Sequence, residues 1–286
     1  MPRLGVVLAA AVSVPLALPA VPAAAAPAEP VEKARSGDVT VIAHRGASAY
    51  APENTVAAIR EAGRRGADMI EIDVRQTKDG KVVVMHDATL TRTTDARRKF
   101  PKRKSWKVRD LTLAQIRKLD AGSWYGRAFK GQKVPTLAEA LKAVKAAGDG
   151  VVIELKQPEL YPGMTAKVVA ALKADPYWLK DGRALVQSFT WSAVRDVNDR
   201  VPQAIRTGVL GRPNFAEMLR ARFYADVLHI PRGSAGAAYV AQAHNAMYRV
   251  YAYTANDAAT ARRLMDSGVD GITTDRPDVL RALLDA

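Results

Sequence analysis

Two histidines stand directly after apolar runs that are typical of buried β-strands. His44 follows residues 39–43, and His86 follows residues 82–85. In a parallel α/β protein the carboxyl ends of the strands form the ligand-binding edge, so we expect both imidazoles at one site. Because imidazole titrates near neutral pH, such a pair could supply the general base and the general acid of a hydrolytic reaction.

Three acidic residues lie within two further apolar runs. Glu71 and Asp73 are two apart in residues 68–75, which places both side chains on one face of a strand, and Glu154 lies in residues 151–156. Clustered carboxylates inside a barrel would repel one another unless a cation joined them. Oxygen ligands in a chain without cysteine favour a hard ion, so we expect one divalent cation, Mg²⁺ or Ca²⁺.

Two cations accompany these groups on otherwise apolar segments. Arg45 follows His44, and Lys156 follows Glu154 by two residues. Arginine can grip phosphate oxygens with two hydrogen bonds, and lysine adds a point charge, so the pair favours a phosphate-binding role. The alternative is that each cation forms a structural ion pair with Glu71 or Glu154.

Five short motifs occur in order along the chain. They are HRG at 44–46, PENT at 52–55, EID at 71–73, MHD at 85–87 and IELK at 153–156. The series resembles the glycerophosphodiester phosphodiesterase family, and the resemblance extends from Val39 to about Pro277. It implies a (β/α)8 barrel, the same histidine pair and a divalent metal held by the three acids. It also implies that a substrate hydroxyl next to the ester attacks phosphorus, giving a cyclic phosphate that water then opens.

The resemblance assigns further residues to the pocket or to its loops. Gln187 lies where the family often has a polar residue facing the pocket, and Tyr253 replaces the tryptophan that usually bounds the substrate pocket. Tyr253 keeps an aromatic wall, so the replacement bears on the preferred alcohol more than on the chemistry. Asn54 is expected to brace a loop or cap a helix, and Glu53 to contact the metal or one of its ligands. Asp275 is expected mainly to anchor a loop.

The elements that must position these residues are predicted as a single domain over residues 39–286, an α/β fold of the (β/α)8 TIM-barrel type. Nine strand candidates are found, one more than a barrel needs, over residues 39–43, 68–75, 82–85, 151–156, 184–189, 205–210, 227–230, 249–254 and 271–273. Asp79-Gly80 between the second and third candidates predicts a hairpin there, a local departure from a regular barrel. Residues 88–133 are interpreted as an insertion over the barrel mouth.

Positive charge is concentrated in the predicted insertion. The whole chain carries a formal charge of +14, and residues 92–109 hold nine Arg or Lys against one acid, a net +8. This segment could dock on anionic lipid or cell-envelope polymer, or it could be a solvated loop that aids solubility. Nucleic acid is disfavoured because Phe100 and Trp106 are the only aromatic side chains there that could stack on bases.

The amino-terminal residues resemble a secretory signal. Residues 1–26 combine Arg3, an apolar run and an A-x-A cleavage pattern, and residues 27–38 are interpreted as a flexible lead-in. A membrane anchor is the alternative, although the apolar run is short and contains Pro15 and Pro19. We therefore expect a secreted, extracellular protein.

Taken with the resemblance, the residues predict a secreted, metal-dependent phosphodiesterase that cleaves glycerophosphodiesters to sn-glycerol 3-phosphate and an alcohol. One alternative is a phospholipase D-like enzyme acting on lysophospholipid or sphingomyelin, which would favour an apolar patch beside the mouth. Another is a non-catalytic binder of anionic envelope polymers. His229 and His244 have no catalytic neighbours in the sequence and are expected to be structural. The sequence predicts no oligomeric state.

Overall fold

The computed structural model describes residues 39–180, 182–201 and 205–286. The signal predicted at 1–26 and the lead-in at 27–38 lie outside the described residues. No helix in the described part of the chain is both long and apolar enough to cross a membrane.

Eight parallel strands close into a barrel, and every strand candidate from the sequence forms a strand. The strands are β1 (Thr40–Ala43), β2 (Met69–Gln76), β3 (Val82–Val84), β4 (Gly150–Leu155), β5 (Ala184–Ser188), β6 (Arg206–Leu210), β7 (Val227–Pro231), β8 (Arg249–Tyr253) and β9 (Gly271–Thr274). Strand β1 pairs with both β2 and β9, which closes the circle β1-β2-β4-β5-β6-β7-β8-β9. The predicted TIM-barrel fold is therefore confirmed.

Most of the helices follow the barrel strands and cover their outer faces, and two short ones within residues 88–133 belong to the insertion. They are α1 (Val56–Arg64), α2 (Ala96–Lys99), α3 (Leu113–Ile116), α4 (Leu137–Ala147), α5 (Met164–Lys173), α6 (Trp191–Arg200), α7 (Phe215–Ala221), α8 (Ala237–Asn245), α9 (Ala258–Asp266) and α10 (Pro277–Leu284). Side-chain caps set several helix starts at the mouth of the barrel. Thr55, rather than Asn54, caps α1, and Thr136 and Asn214 form capping boxes with Glu139 and Glu217.

The extra strand, β3, runs antiparallel to the end of β2, as the Asp-Gly signal predicted. Residues 74–76 of β2 pair with β3, and the turn closes with Thr77 N–H donating to Lys81 O (2.9 Å). Gly80 adopts φ +72°, a conformation that glycine takes without strain. Strand β2 continues through Gln76, beyond its last pair with β4 at Val74, and β3 returns along it, so that Met85 N–H donates to Asp73 O (2.8 Å) and His86 follows beside the acids of β2.

Apolar side chains are buried on both sides of the strands, which is why the strands read as continuous hydrophobic runs. A small cluster fills the barrel interior and comprises Ile42, Met69, Val152, Leu185, Val227 and Tyr251. Two larger clusters lie between the strands and the outer helices. The interior cluster leaves the carboxyl end of the barrel to polar residues.

Residues 88–133 pack around an apolar cluster of their own beside the hairpin. This cluster includes Leu90, Val108, Leu111, Ile116 and Leu119, all fully buried. Helices α2 and α3 both lie in this segment, and each is only four residues long. The short elements reflect a segment stabilised by its tertiary contacts more than by helix propensity.

Candidate active site

A cavity of about 270 Å³ opens at the carboxyl ends of the barrel strands. It is lined by His44, Arg45, Glu71, His86, Glu154, Lys156, Gln187, Phe189, Leu210, His229, Tyr253, Thr254 and Thr273. Nine residues were predicted to be catalytic, substrate-binding or metal-binding, and eight of them line the cavity directly. The ninth, Asp73, lies beside it and contacts Arg45 and Lys156.

The three acids form one buried cluster. Asp73 and Glu154 are direct neighbours across β2 and β4, and one carboxylate oxygen from each of Glu71, Asp73 and Glu154 lies within 4.8 Å of the others. Burial, reinforced by the charges of the other two acids, raises the pKa of Glu71 well above its ordinary value. Three carboxylates this close together concentrate negative charge, and oxygen donors at this spacing fit a metal ion. The three acids could therefore hold one.

Asp73 differs from Glu71 because it lies close to both cations. Burial alone would raise the pKa of Asp73, but the charges of Arg45 and Lys156 lower it below the ordinary value. Asp73 therefore stays ionised. For Glu71, in contrast, burial disfavours the ionised form.

Both predicted phosphate-binding cations reach the pocket, and both also contact acids. Lys156 Nζ lies 2.5 Å from Glu154 Oε1 and 3.6 Å from Asp73 Oδ1. Arg45 Nη1 donates to Glu53 Oε1 at 2.9 Å, while its buried Nε makes no hydrogen bond within the described residues. The structural ion pair that was the alternative to phosphate binding is present between Lys156 and Glu154. Both cations nevertheless line the cavity.

The HRG motif owes its position to a left-handed turn after β1. Arg45 has φ 55° and Gly46 φ 81°, and a Cβ on Gly46 would lie 2.5 Å from a backbone carbon of Ala58. This turn points Arg45 N–H at Glu71 Oε2, 2.7 Å away. The motif therefore fixes the acid cluster through its backbone as well as through its side chains.

Asn54 braces the site, as the sequence suggested. Its Nδ2 donates to Asp73 Oδ2 at 2.8 Å, and its Oδ1 accepts from Asp73 N–H at 3.1 Å. Asn54 also has a positive φ of 58°, which asparagine tolerates better than most residues. The loop after β1 is thereby tied to β2 next to the acid cluster.

His44 is held by Asp275, a contact that the sequence analysis missed. Asp275 Oδ1 accepts from His44 Nδ1 at 2.6 Å and from Ser48 Oγ at 2.8 Å, and Asn256 Nδ2 donates to Oδ2. Burial opposes ionisation of Asp275, but the hydrogen bond from His44 lowers its pKa to about 2. An ionised carboxylate can only accept, so Nδ1 of His44 carries a proton and Nε2 is the ring nitrogen left to exchange one.

His86 is held in the same manner by its neighbour in the chain. His86 Nδ1 donates to Asp87 Oδ1 at 2.7 Å, and hydrogen bonds from Arg92 hold the pKa of Asp87 well below its usual range. Burial lowers the pKa of His86, so the ring is neutral at neutral pH. Arg92 also binds Glu53, which in turn binds Arg45.

His229 belongs to the pocket wall, which no sequence signal indicated. His229 Nδ1 donates to Gln187 Oε1 at 2.7 Å, and Thr273 Oγ donates to Nε2 at 2.8 Å. Burial lowers the pKa of His229 to about 3, so this fully enclosed ring is neutral. The structural role expected of it is compatible with these contacts, and Gln187 faces the pocket as predicted. His244 instead pairs with Asp270, and neither residue lines the cavity.

One side of the cavity is apolar and aromatic. Phe189 and Leu210 come from the ends of β5 and β6, and Tyr253 ends β8 with its ring centroid 5.3 Å from that of His229. Tyr253 thus stands in the wall at the position where the family resemblance expected an aromatic residue.

These features define a class of protein: a (β/α)8-barrel enzyme whose site, at the carboxyl ends of the strands, combines two carboxylate-anchored histidines with a metal-compatible acid cluster. The chain belongs to the glycerophosphoryl diester phosphodiesterase family, whose model matches residues 44–279. It is thereby a phosphoric diester hydrolase, as the sequence predicted.

Relatives and solved structures agree with this assignment over nearly their whole length. A glycerophosphodiester phosphodiesterase of Bacillus subtilis is 36% identical over 274 residues, covering 87% of this chain and 90% of that protein. One from Caldanaerobacter subterraneus is 36% identical over 243 residues, with 84% and 95% covered. The structure of an Oleispira antarctica phosphodiesterase in complex with the product sn-glycerol-3-phosphate is 32% identical with a TM-score of 0.77, covering 86% of this chain and 97% of that one.

Proposed function

We propose that the protein hydrolyses glycerophosphodiesters to sn-glycerol 3-phosphate and an alcohol, with the help of one divalent cation. The observation that carries this proposal is the pair His44 and His86, each anchored at Nδ1 by an aspartate and both facing one cavity. The product complex of the Oleispira antarctica relative supports the choice of substrate.

Arg45 and Lys156 would bind the phosphate oxygens of the substrate. Both line the cavity, and their contacts with Glu53, Asp73 and Glu154 hold them in place before substrate arrives. Preorganised cations stabilise the charge that develops on phosphorus without having to reorient during the reaction.

The two histidines would move the protons. His86 is neutral at neutral pH and can accept a proton at Nε2 from the attacking hydroxyl of the substrate. Acting as the general acid, His44 would carry a proton on each ring nitrogen. Its Nδ1 would donate to Asp275, and its Nε2 would deliver a proton to the leaving alkoxide. In the second half of the reaction the same groups would activate water and reprotonate the glycerol hydroxyl.

Glu71, Asp73 and Glu154 would hold the cation, and their all-oxygen donor set favours Mg²⁺ or Ca²⁺. When bound, such an ion supplies Lewis-acid polarisation of a phosphoryl oxygen and lowers the pKa of a nearby hydroxyl.

The test is release of sn-glycerol 3-phosphate from glycerophosphocholine by wild type, His44→Ala, His86→Ala and the matched control His244→Asn. We expect each active-site variant to lose activity by about 10²–10⁴-fold and the control to retain it. Variants His44→Ala and His86→Ala that fold and turn over at the wild-type rate would refute the assignment.

A phospholipase D-like activity on lysophospholipids is a second candidate. The apolar wall formed by Phe189, Leu210 and Tyr253 favours it, because a hydrocarbon chain could leave the cavity along that side. A higher kcat/KM for lysophosphatidylcholine than for glycerophosphocholine would support this candidate, and the reverse order would reject it.

Export is a further part of the proposal and rests on the composition of residues 1–26. Amino-terminal sequencing of the protein recovered from culture medium should begin at or near Pro27. An intact Met1 on the medium fraction, or retention of all protein in the cells, would contradict export.

A further inference from the structure

Large hydrophobic side chains are exposed at three consecutive positions around the barrel mouth. Leu160, Phe189 and Phe215 follow the neighbouring strands β4, β5 and β6, and their exposed fractions are 41%, 57% and 48%. We call these three residues the apolar rim. Soluble surfaces carry single exposed hydrophobics routinely, but a row of them beside a binding pocket marks an interaction site.

Side-chain contacts join the loops that carry the apolar rim. Thr190, next to Phe189, donates to Glu159 Oε2 at 3.0 Å, which ties the β5 loop to the β4 loop. Trp191 Nε1 donates to Leu210 O at 3.1 Å, which ties the β5 loop to the end of β6. The rim is therefore a fixed surface and not a set of independent loop tips.

The basic segment 92–109 is attached to the same end of the barrel. Arg92 binds Glu53 and Asp87 beside the pocket, and Leu111 O, two residues beyond the segment, accepts from Lys78 N–H of the hairpin at 2.9 Å. Within the described residues, six exposed cations of this segment contact no carboxylate: Arg97, Lys99, Lys102, Lys104, Lys107 and Arg109.

Contacts inside the basic segment hold its shape. Arg97 stacks over the Trp106 ring at 4.9 Å, and Arg103 donates to the carbonyl oxygens of Ser105 and Asp110. Like charges in one ordered segment repel one another unless an opposite charge neutralises them. The high charge and the fixed shape of the basic segment together indicate an anionic partner.

We propose that the mouth end of the barrel docks on an anionic lipid bilayer, with the apolar rim entering the interface and segment 92–109 contacting the headgroups. A bilayer is the occupant that offers hydrocarbon and a dense negative surface side by side. A soluble polyanion would account for the cations but would leave the apolar rim without a partner. Docking would bring the pocket to substrates held at the membrane surface.

The rim is tested by sedimentation with vesicles of phosphatidylglycerol and phosphatidylcholine. Leu160→Ser/Phe215→Ser should lower the partition coefficient at least about 10-fold, since two apolar side chains no longer enter the interface. The matched control is Phe223→Ser/Met247→Ser. Phe223 and Met247 are 81% and 77% exposed but follow the carboxyl ends of α7 and α8, at the opposite end of the barrel. Equal losses in both double variants would overturn the proposal.

The cations are tested in the same assay. Lys102→Gln/Lys104→Gln should lower partitioning about 10-fold or more, while the control Lys142→Gln/Lys173→Gln, on the outer helices, should bind as wild type does. Binding to phosphatidylcholine alone should be much weaker than to the anionic vesicles. Equal binding to both would overturn the proposal.

A polymer partner gives a different pattern. If inorganic polyphosphate competes fully with vesicles and the rim variant binds like wild type, the partner is a soluble polyanion and the bilayer assignment is wrong. Vesicle binding does not depend on turnover, and glycerophosphocholine hydrolysis by the rim variant should match wild type. The proposed activity and the proposed docking can therefore fail separately.

Discussion

Arg92 clamps Glu53 through two hydrogen bonds, with Nη1 at 2.7 Å from Oε2 and Nη2 at 2.8 Å from Oε1. The same guanidinium binds both oxygens of Asp87 at 2.7 and 3.0 Å. Glu53 holds Arg45 and Asp87 holds His86, so one arginine at the start of the insertion positions a phosphate-binding cation and a proposed general base.

Replacing Arg92 should therefore impair catalysis although Arg92 does not line the cavity. Arg92→Gln should lower kcat about 10- to 100-fold, because misplacing catalytic groups by about an ångström has effects of this size. Without its cationic partner the Asp87 charge would act more strongly on His86, so the acidic limb of the pH–rate profile should move to higher pH. The matched control is Arg98→Gln, since Arg98 is exposed and, among the residues that the structure describes, pairs with Asp95 alone. An unchanged pH profile in Arg92→Gln would contradict the positioning role.

Replacing Asp275 should reduce kcat about as much as replacing His44, the histidine that it binds. Asp275→Asn removes the carboxylate that accepts from Nδ1 of His44, so His44 could no longer hold a proton on both ring nitrogens as a general acid, which should reduce kcat about 100-fold or more. Ser48→Ala, which removes another donor to the same carboxylate oxygen, should have a much smaller effect. Steady-state kinetics on both variants decide this, and equal effects would indicate a general disturbance of the loop.

The acid cluster should destabilise the metal-free protein at neutral and alkaline pH. The pKa of Glu71 is raised in the folded state, so its contribution to stability is present at low pH and is lost as pH rises through the folded pKa. Glu71→Gln should therefore raise Tm in EDTA at about pH 8 by about 2–4 °C. Wild type should gain Tm on adding Mg²⁺ or Ca²⁺, and Glu71→Gln should gain much less. A variant with lower Tm in EDTA would contradict the stated origin of the raised pKa.

His229 should contribute to unfolding at acid pH. Its pKa falls from 6.5 to about 3 on folding, so the stabilisation is complete above pH 6.5 and is lost as pH decreases toward 3. His229→Ala should cost about 1–3 kcal/mol near pH 7, because Gln187 and Thr273 lose their buried partner. Urea unfolding across this range should show a flatter pH dependence for the variant. The same slope in both proteins would show that another group carries the effect.

Much of the fold followed from local patterns. Continuous apolar runs identified all nine strands because strands buried on both faces carry few polar residues, and Asp79-Gly80 identified the hairpin. Helix α2 was not predicted, because ARRK has no apolar face, and this short helix depends on packing of Ala96 against the cluster of the insertion.

The residues of the site likewise divide into those that local sequence patterns could identify and those that they could not. His44, Glu71 and Glu154 could be found because each stands at or within a strand, where position along the strand determines location in the barrel. The pairing of His44 with Asp275 joins residues 231 positions apart, and that of His229 with Gln187 joins residues 42 apart. Such contacts depend on how the barrel closes, which single-sequence patterns do not encode. Asp275 directly follows β9, so its position could have suggested that it lies at the site, although not that it binds His44.

The role of the acid cluster is decided by measuring glycerophosphocholine hydrolysis by the protein before EDTA treatment, after it, and after Mg²⁺ or Ca²⁺ is restored. In wild type, release of sn-glycerol 3-phosphate should stop with EDTA and return with one of the two ions, whereas Glu154→Gln should recover little activity. Hydrolysis that continues unchanged in EDTA, with complete metal removal verified by elemental analysis, would contradict the metal-assisted site formed by Glu71, Asp73 and Glu154.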